Sequence, residues 1–139
     1  MKKLLLSFVI AVLLLSGVKA QDTISIANGT TYNNSMAIGG YYGFHTGAYL
    51  YTSDEMLNQG STINSLLFQM QTAGSGSNRT LKIYLKEVVD ESLPHSLVFA
   101  DLLEGAMLVY NQPITELTSN AWNEFVFDNP FVYTGIGNL

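Results

Sequence analysis

The sequence predicts an all-β fold, specifically an antiparallel β-sandwich of the jelly-roll or immunoglobulin-like type with one or two short helical turns. Several segments alternate apolar and polar residues with the period of a half-buried strand. They recur about every ten residues, and Gly, Asn, Ser and Pro lie between them, as in sandwich folds. No stretch has the apolar spacing of a long amphipathic helix. The 139 residues suit a single domain.

The chain is organised around Trp122–Leu139, where the segment up to Asp128 alternates and Phe125 and Phe127 are expected on a buried face. Asp128-Asn129-Pro130 is predicted to end this strand, because proline has no N–H for the ladder. Alternation resumes after Pro130, and the glycines and Asn138 that follow are typical of a turn. Leu139 is predicted to begin another strand, so the domain is expected to be incomplete at its C-terminus, with one or more final strands missing.

The same period predicts four earlier strands: Thr23–Ala27, Ile63–Gln71, Arg79–Glu87 and Met107–Tyr110. The second and third of these are expected to pair as an antiparallel hairpin through the Gly/Ser-rich loop Thr72–Asn78. The segment Asn111-Gln112-Pro113 is predicted to turn away from the strand that precedes it.

Two segments have helical character. Thr52 followed three residues later by Glu55 resembles a capping box, and predicts one helical turn over Ser53–Asn58. Leu97–Leu103 fits a short helix and a strand-like connection equally well, because periodicity cannot separate them over so few residues.

Residues 1–20 have the pattern of a secretory signal peptide. Two lysines precede an apolar run over Leu4–Leu15, and Val18-Lys19-Ala20 provides a cleavage site between Ala20 and Gln21. The alternative, a membrane anchor, is disfavoured because the run is shorter than the ~20 residues that span a bilayer. The expected organisation is therefore a leader over 1–20 and an exported β-sandwich domain over 21–139, with no membrane span.

The charge of the exported part excludes some partners. Without the three lysines of the leader, three basic residues face eleven acidic ones, a net charge of −8. Nucleic acid is a poor partner for such a chain, because phosphate binding requires clustered Lys and Arg. The absence of cysteine excludes a thiol nucleophile and a lipid anchor on an N-terminal cysteine.

Several segments together resemble one known family. The more specific ones are Arg79–Leu85 and Pro130–Leu139; the weaker ones are Ala27–Thr30, Leu50-Tyr51 with Glu55 and Gly60, Ile63–Phe68, and Leu108–Tyr110 before Trp122. In their order along the chain, these segments resemble the N-terminal β-sandwich module of adhesin-like secreted and surface proteins of Bacteroidetes-type bacteria, cargo of the type IX secretion route. The chain departs from the pattern at Thr134, where Asp is common.

The resemblance implies a non-catalytic adhesion or scaffold role outside a Gram-negative cell, either secreted or on the outer surface. It implies downstream domains of the same polypeptide as partners, with a glycan or a host or matrix protein as candidate ligands. An alternative from another class is an accessory, substrate-targeting domain of a secreted hydrolase, such as a peptidase or glycosidase, whose catalytic part lies beyond residue 139.

No residue is assigned a catalytic or cofactor-binding role. The chain has no nucleophile elbow, zinc-protease motif or phosphate-binding loop. The two histidines, His45 and His95, have no motif partner nearby, so loop or packing roles are expected for both. Glu87, Asp90 and Glu91 are weak candidates for calcium ligands, and a solvated acidic loop is the more common explanation of such a cluster.

The densest aromatic group lies at Tyr41, Tyr42 and Phe44, with Tyr49 and Tyr51 nearby. Aromatic side chains on loops can stack on sugar rings or anchor a protein partner. The alternative is that they cover one end of the hydrophobic core.

The leader hypothesis has a direct test. Mass spectrometry of the exported protein should find an N-terminus at Gln21, because Ala20 closes the cleavage motif. A product that retains Met1 and stays in the membrane would contradict it.

Overall fold

The computed structural model describes residues 22–26, 38, 45–57, 59–73, 79–94, 96, 98–114 and 116–139. Within these residues four strands and one short helix are formed: β1 (Ser61–Met70), β2 (Arg79–Leu85), α1 (Phe99–Leu103), β3 (Met107–Ile114) and β4 (Ala121–Tyr133). All strand pairs are antiparallel. The prediction of an all-β, antiparallel fold with little helix is confirmed.

The strands pair as β1 with β4 and β2 with β3, in two separate two-stranded sheets of the described residues. The predicted hairpin between the second and third strands is therefore wrong. The end of β1 is tied instead to the loop before β4: Asn120 N donates to Gln71 O at 3.2 Å, and Ala73 N donates to Ser119 Oγ at 2.8 Å. These bonds direct β1 toward β4.

Strand β4 continues through Pro130, so the predicted strand end at Asp128-Asn129-Pro130 is also wrong. The pairing with β1 shifts there, from Ser65 opposite Val126 to Ile63 opposite Phe131. The extra residues of β4 form a bulge, and a bulged residue needs no ladder N–H, so proline is tolerated.

The Asp128 carboxylate of this bulge reaches β3. Its Oδ2 accepts from Asn111 N at 2.9 Å, and its Oδ1 accepts from Gln112 Nε2 at 2.7 Å. Strand β3 therefore runs on to Ile114, and the predicted turn over Asn111-Gln112-Pro113 is wrong. A side chain from the other sheet supplies an acceptor that the sequence pattern of β3 could not show.

The remaining elements match the sequence in part. The capping box is confirmed: Thr52 N donates to Glu55 Oε2 at 2.8 Å, and Glu55 N donates to Thr52 Oγ1 at 3.3 Å. The segment Leu97–Leu103, ambiguous in the sequence, is helical over Phe99–Leu103, while Val98 before it is extended. Residues 22–26 form no strand, so the first predicted strand is wrong there, although Ile24 and Ile26 pack against the core.

Both sheets contribute to one hydrophobic core. Its buried cluster consists of Met56, Val109, Phe127, Phe131, Tyr133 and Leu139. Beside it, the ring of Phe125 makes edge-to-face contacts with Phe68 of β1 at 5.9 Å and with Tyr110 of β3 at 5.6 Å, between ring centroids. The core therefore joins β1, β3 and β4. In the described part of the chain, no helix combines the length and apolar composition required to cross a bilayer.

Candidate functional site

Strand β4 exposes large apolar side chains on the side opposite the core. Phe125, Phe127, Phe131 and Tyr133 are buried, so the alternate positions of the strand face solvent. Trp122 is 52% exposed, Val126 63% and Val132 69%. Leu67 of β1 is 38% exposed. We refer to these four residues, Leu67, Trp122, Val126 and Val132, as the Trp122 face.

The register of the β1–β4 sheet places polar groups between these apolar residues. Gln69 lies opposite Trp122, and Glu124 lies opposite Leu67. Directly opposed residues share one face of the sheet, with Cβ atoms about 4.5–5.5 Å apart. The Trp122 face therefore combines a broad aromatic surface with an amide and a carboxylate at its side.

The start of β4 is fixed by the side chain of Asn123. Thr118 N donates to Asn123 Oδ1 at 2.7 Å, and Asn123 Nδ2 donates to Thr118 O at 3.0 Å. Asn120, in the turn between them, has a φ of 53°, a conformation that asparagine tolerates better than most residues. This closed turn holds the backbone of Trp122, so the indole is presented from an ordered strand.

Exposure of this kind is uncommon without a role. Isolated surface apolar residues are normal, whereas several together on one face commonly mark an interaction site. Tryptophan is also, with tyrosine and arginine, enriched among the side chains that dominate binding energy at protein interfaces. The Trp122 face is the candidate functional site.

A second arrangement involves the candidate metal ligands. The Glu87 carboxylate accepts hydrogen bonds from both Thr134 N and Thr134 Oγ1. Asn138 Oδ1 accepts from Ser53 N at 2.8 Å, and Asn138 Nδ2 donates to Asp90 O at 2.8 Å. Within the described residues, no group of three or more His, Cys, Asp or Glu side chains is placed to hold a metal ion. Glu87 thus has a structural bonding role, while Asp90 and Glu91 are exposed.

Backbone hydrogen bonds in the same region join three segments of the chain: Tyr51–Ser53, Glu87–Asp90 and Thr134–Leu139. We call this region the Glu87 junction. Leu139 exchanges two backbone hydrogen bonds of 2.8 Å with Tyr51, and Asn138 exchanges two of 2.8 Å with Val88. Gly135 has a φ of 83°, and a Cβ there would lie 2.4 Å from Gly60 N, so only glycine fits.

Only some of the other predicted site residues lie within the described part of the chain. Tyr41, Tyr42, Phe44, His95, Ala20 and Gln21 lie outside the described residues. His45 is exposed, and Tyr49 is 45% exposed. Burial raises the pKa of Tyr51, and the neighbouring Tyr49 and Glu55 raise it further, so Tyr51 is a neutral side chain packed against the core.

Two shallow hollows on the surface offer little for catalysis. One, of about 200 Å³, lies over Tyr110, Ile114 and Phe125, and the other, of about 220 Å³, lies between Ala48 and Phe99. Both are below the ~300–1,000 Å³ of typical small-molecule sites.

Comparisons of the chain with protein-family models, curated proteins and solved structures found no match.

The sequence contained a signal for this face. Val126 and Val132 occupy strand positions whose alternation with buried aromatics would ordinarily require polar residues. A strand that is apolar on both sides either has other elements packed on both sides or leaves one apolar side exposed for binding.

The role of Glu87 can be tested by comparing Glu87→Ala with Glu91→Ala, which removes an exposed carboxylate nearby. Glu87→Ala should lower the free energy of unfolding by about 2–3 kcal/mol, because two charge-assisted hydrogen bonds to Thr134 are lost. Glu91→Ala should change it by less than about 0.5 kcal/mol. Chemical denaturation measures both, and equal effects would contradict the assigned role.

Proposed function

We propose that the chain is a non-catalytic extracellular adhesion or scaffold module that binds its partner through the Trp122 face. The observation that carries this proposal is the exposure of Trp122, Val126 and Val132 along a strand whose other side forms the core. A hydrogen-bonded sheet that presents an aromatic and several aliphatic side chains can bind without a pocket, since little conformational freedom is lost on association.

Electrostatics restrict the partner. The exported part is strongly acidic, and Glu124 lies beside the indole. A neutral or weakly basic surface would be tolerated there, whereas polyanions would be repelled. A glycan without acidic groups or a host or matrix protein fits this requirement, and downstream domains of the same polypeptide are the expected scaffold partners.

The proposed module is a β-sandwich that lies outside the cell. The two antiparallel sheets share one core, which supports a β-sandwich of the jelly-roll or immunoglobulin-like type. The basic and apolar leader with its Ala20 cleavage site supports export, and the family resemblance supports secretion or display on the outer surface of a Gram-negative cell.

One observation also favours the alternative function, an accessory domain of a secreted hydrolase. Gln69 lies opposite Trp122, and Glu124 lies two residues along β4 on the same face, so both are placed to bind sugar hydroxyls while the indole stacks on the sugar. In that case the ligand is a polysaccharide, and the module brings a catalytic domain to it.

Binding assays separate the two functions. The chain exported by its own leader would be tested against immobilised collagen and fibronectin and against insoluble neutral polysaccharides. Trp122→Ala should weaken binding to its ligand at least tenfold, because the central aromatic contact is lost. Phe99→Ala removes an exposed aromatic of α1 and should leave binding unchanged.

Protein binding that depends on Trp122 would support the adhesion module, and polysaccharide binding that depends on it would support the accessory domain. Equal affinity of Trp122→Ala and the unmodified chain for every ligand would contradict a functional Trp122 face.

A further inference from the structure

The hollow of about 200 Å³ between β3 and the start of β4 is lined by two kinds of residue. Its apolar lining comes from both strands and the segment that joins them: Tyr110, Pro113, Ile114, Leu117 and Phe125. Two acidic residues, Glu116 and Glu124, also line it, together with Asn123. We call this site the Glu116 hollow.

The two acidic residues are not neutralised within the described part of the chain. Neither Glu116 nor Glu124 makes a hydrogen bond or an ion pair with another described residue, and no described basic residue lines the hollow. Arg79 is opposite Ile114 in the β2–β3 ladder, but it has no ion pair with a described residue either. Two carboxylates beside apolar walls, without a cation, produce a negative potential there.

Hydrogen bonds hold the Glu116 hollow open in advance of binding. Thr118 N donates to Asn123 Oδ1 at 2.7 Å, which fixes the backbone next to Leu117 against the start of β4. Asn123 Nδ2 donates to Thr118 O at 3.0 Å and to Ala121 O at 3.1 Å. Both N–H groups of this amide are thus used, so the hollow offers a ligand acceptors rather than the amide donors of Asn123.

The aromatic wall at Tyr110 is uncharged. Burial raises the pKa of Tyr110, and the nearby Asp128 raises it further, so the phenol stays protonated. Asp128 itself already accepts two hydrogen bonds from β3, so it adds to the negative potential without being a contact for a ligand. Aromatic walls also suit a cation, which their π electrons attract.

Apolar walls beside carboxylates match one class of ligand group. Lysine and arginine side chains combine an apolar stem with a charged head that only donates hydrogen bonds. A hollow below the size of typical small-molecule sites can still hold one such side chain. We propose that the Glu116 hollow binds a lysine or arginine side chain of a protein partner, with the stem against Tyr110 and Leu117 and the head at the two glutamates.

The charge of the whole chain acts in the same direction. At a net charge of −8, the exported part attracts partners that carry basic groups. The Glu116 hollow does not require that the Trp122 face bind anything, and the two sites can be tested separately.

NMR titration of the exported chain with blocked amino acids tests the proposal. The N-acetyl methylamides of lysine and arginine should shift the amide signals of Ile114, Leu117 and Phe125 saturably, with dissociation constants on the order of millimolar for so small a contact. The norleucine analogue has an apolar stem without the charge, and should bind at least fivefold more weakly. Added sodium chloride should weaken binding of the cationic probes, because it screens the carboxylates.

Conservative variants locate the site. Glu116→Gln and Glu124→Gln should each weaken binding of the lysine probe about threefold, and the double variant about tenfold, as expected for exposed ion pairs. Glu91→Gln is the matched control, because it removes the same charge at an exposed residue that does not line the hollow. It should leave binding unchanged, and so should Trp122→Ala.

Three results would overturn the proposal. They are the absence of saturable shifts with both cationic probes, equal binding of the norleucine analogue, and equal effects of Glu91→Gln and Glu116→Gln. Amide spectra of the unliganded variants confirm that each one is folded.

Discussion

Burial of one side of β4 is the constraint on which the described structure depends. Phe125, Phe127, Phe131 and Tyr133 fall on that side, and none of them is more than 8% exposed. Burying a side chain of this size contributes roughly 1.5–3 kcal/mol, against a net stability of about 5–15 kcal/mol for a whole domain. A slip of one residue would expose all four, so the orientation of β4 is strongly specified. That orientation alone places Trp122, Val126 and Val132 in solvent.

The rest of the described chain supports this strand. Strand β1 pairs along it, and the Asn123 turn and the Gln71–Asn120 contact determine where it begins. At its other end, Tyr133 Oη donates to Gly137 O at 2.7 Å, where the Glu87 junction follows. The Asp128 carboxylate connects the middle of β4 to β3. Strand β4 is therefore held at its ends and its centre, so any association through its exposed side would cost little backbone freedom.

The sequence pattern predicted where most strands lie better than it predicted which strands pair with one another. A period of two shows which side of Arg79–Leu85 is buried, but β2 has the same pattern beside β3 as it would beside β1. Pro130 predicted a strand end because a residue inside a ladder normally donates its backbone N–H to the neighbouring strand. Pro130 lies in the bulge of β4, where no such hydrogen bond is required. The bonds of Glu87 could not be predicted, since Thr134 lies 47 residues away in the chain. The Trp122 face could have been predicted, since Val126 and Val132 are apolar at outward positions.

Fluorescence of the single tryptophan tests the central claim most directly, because all emission from an indole then comes from Trp122. In the folded, unliganded chain the emission should lie between that of an indole in water and that of a fully buried indole, because Trp122 is 52% exposed. Acrylamide should quench it clearly, although less efficiently than in the denatured chain. Blue-shifted emission that acrylamide cannot reach would show that Trp122 is buried, and would contradict both the outward orientation of β4 and the proposed binding face.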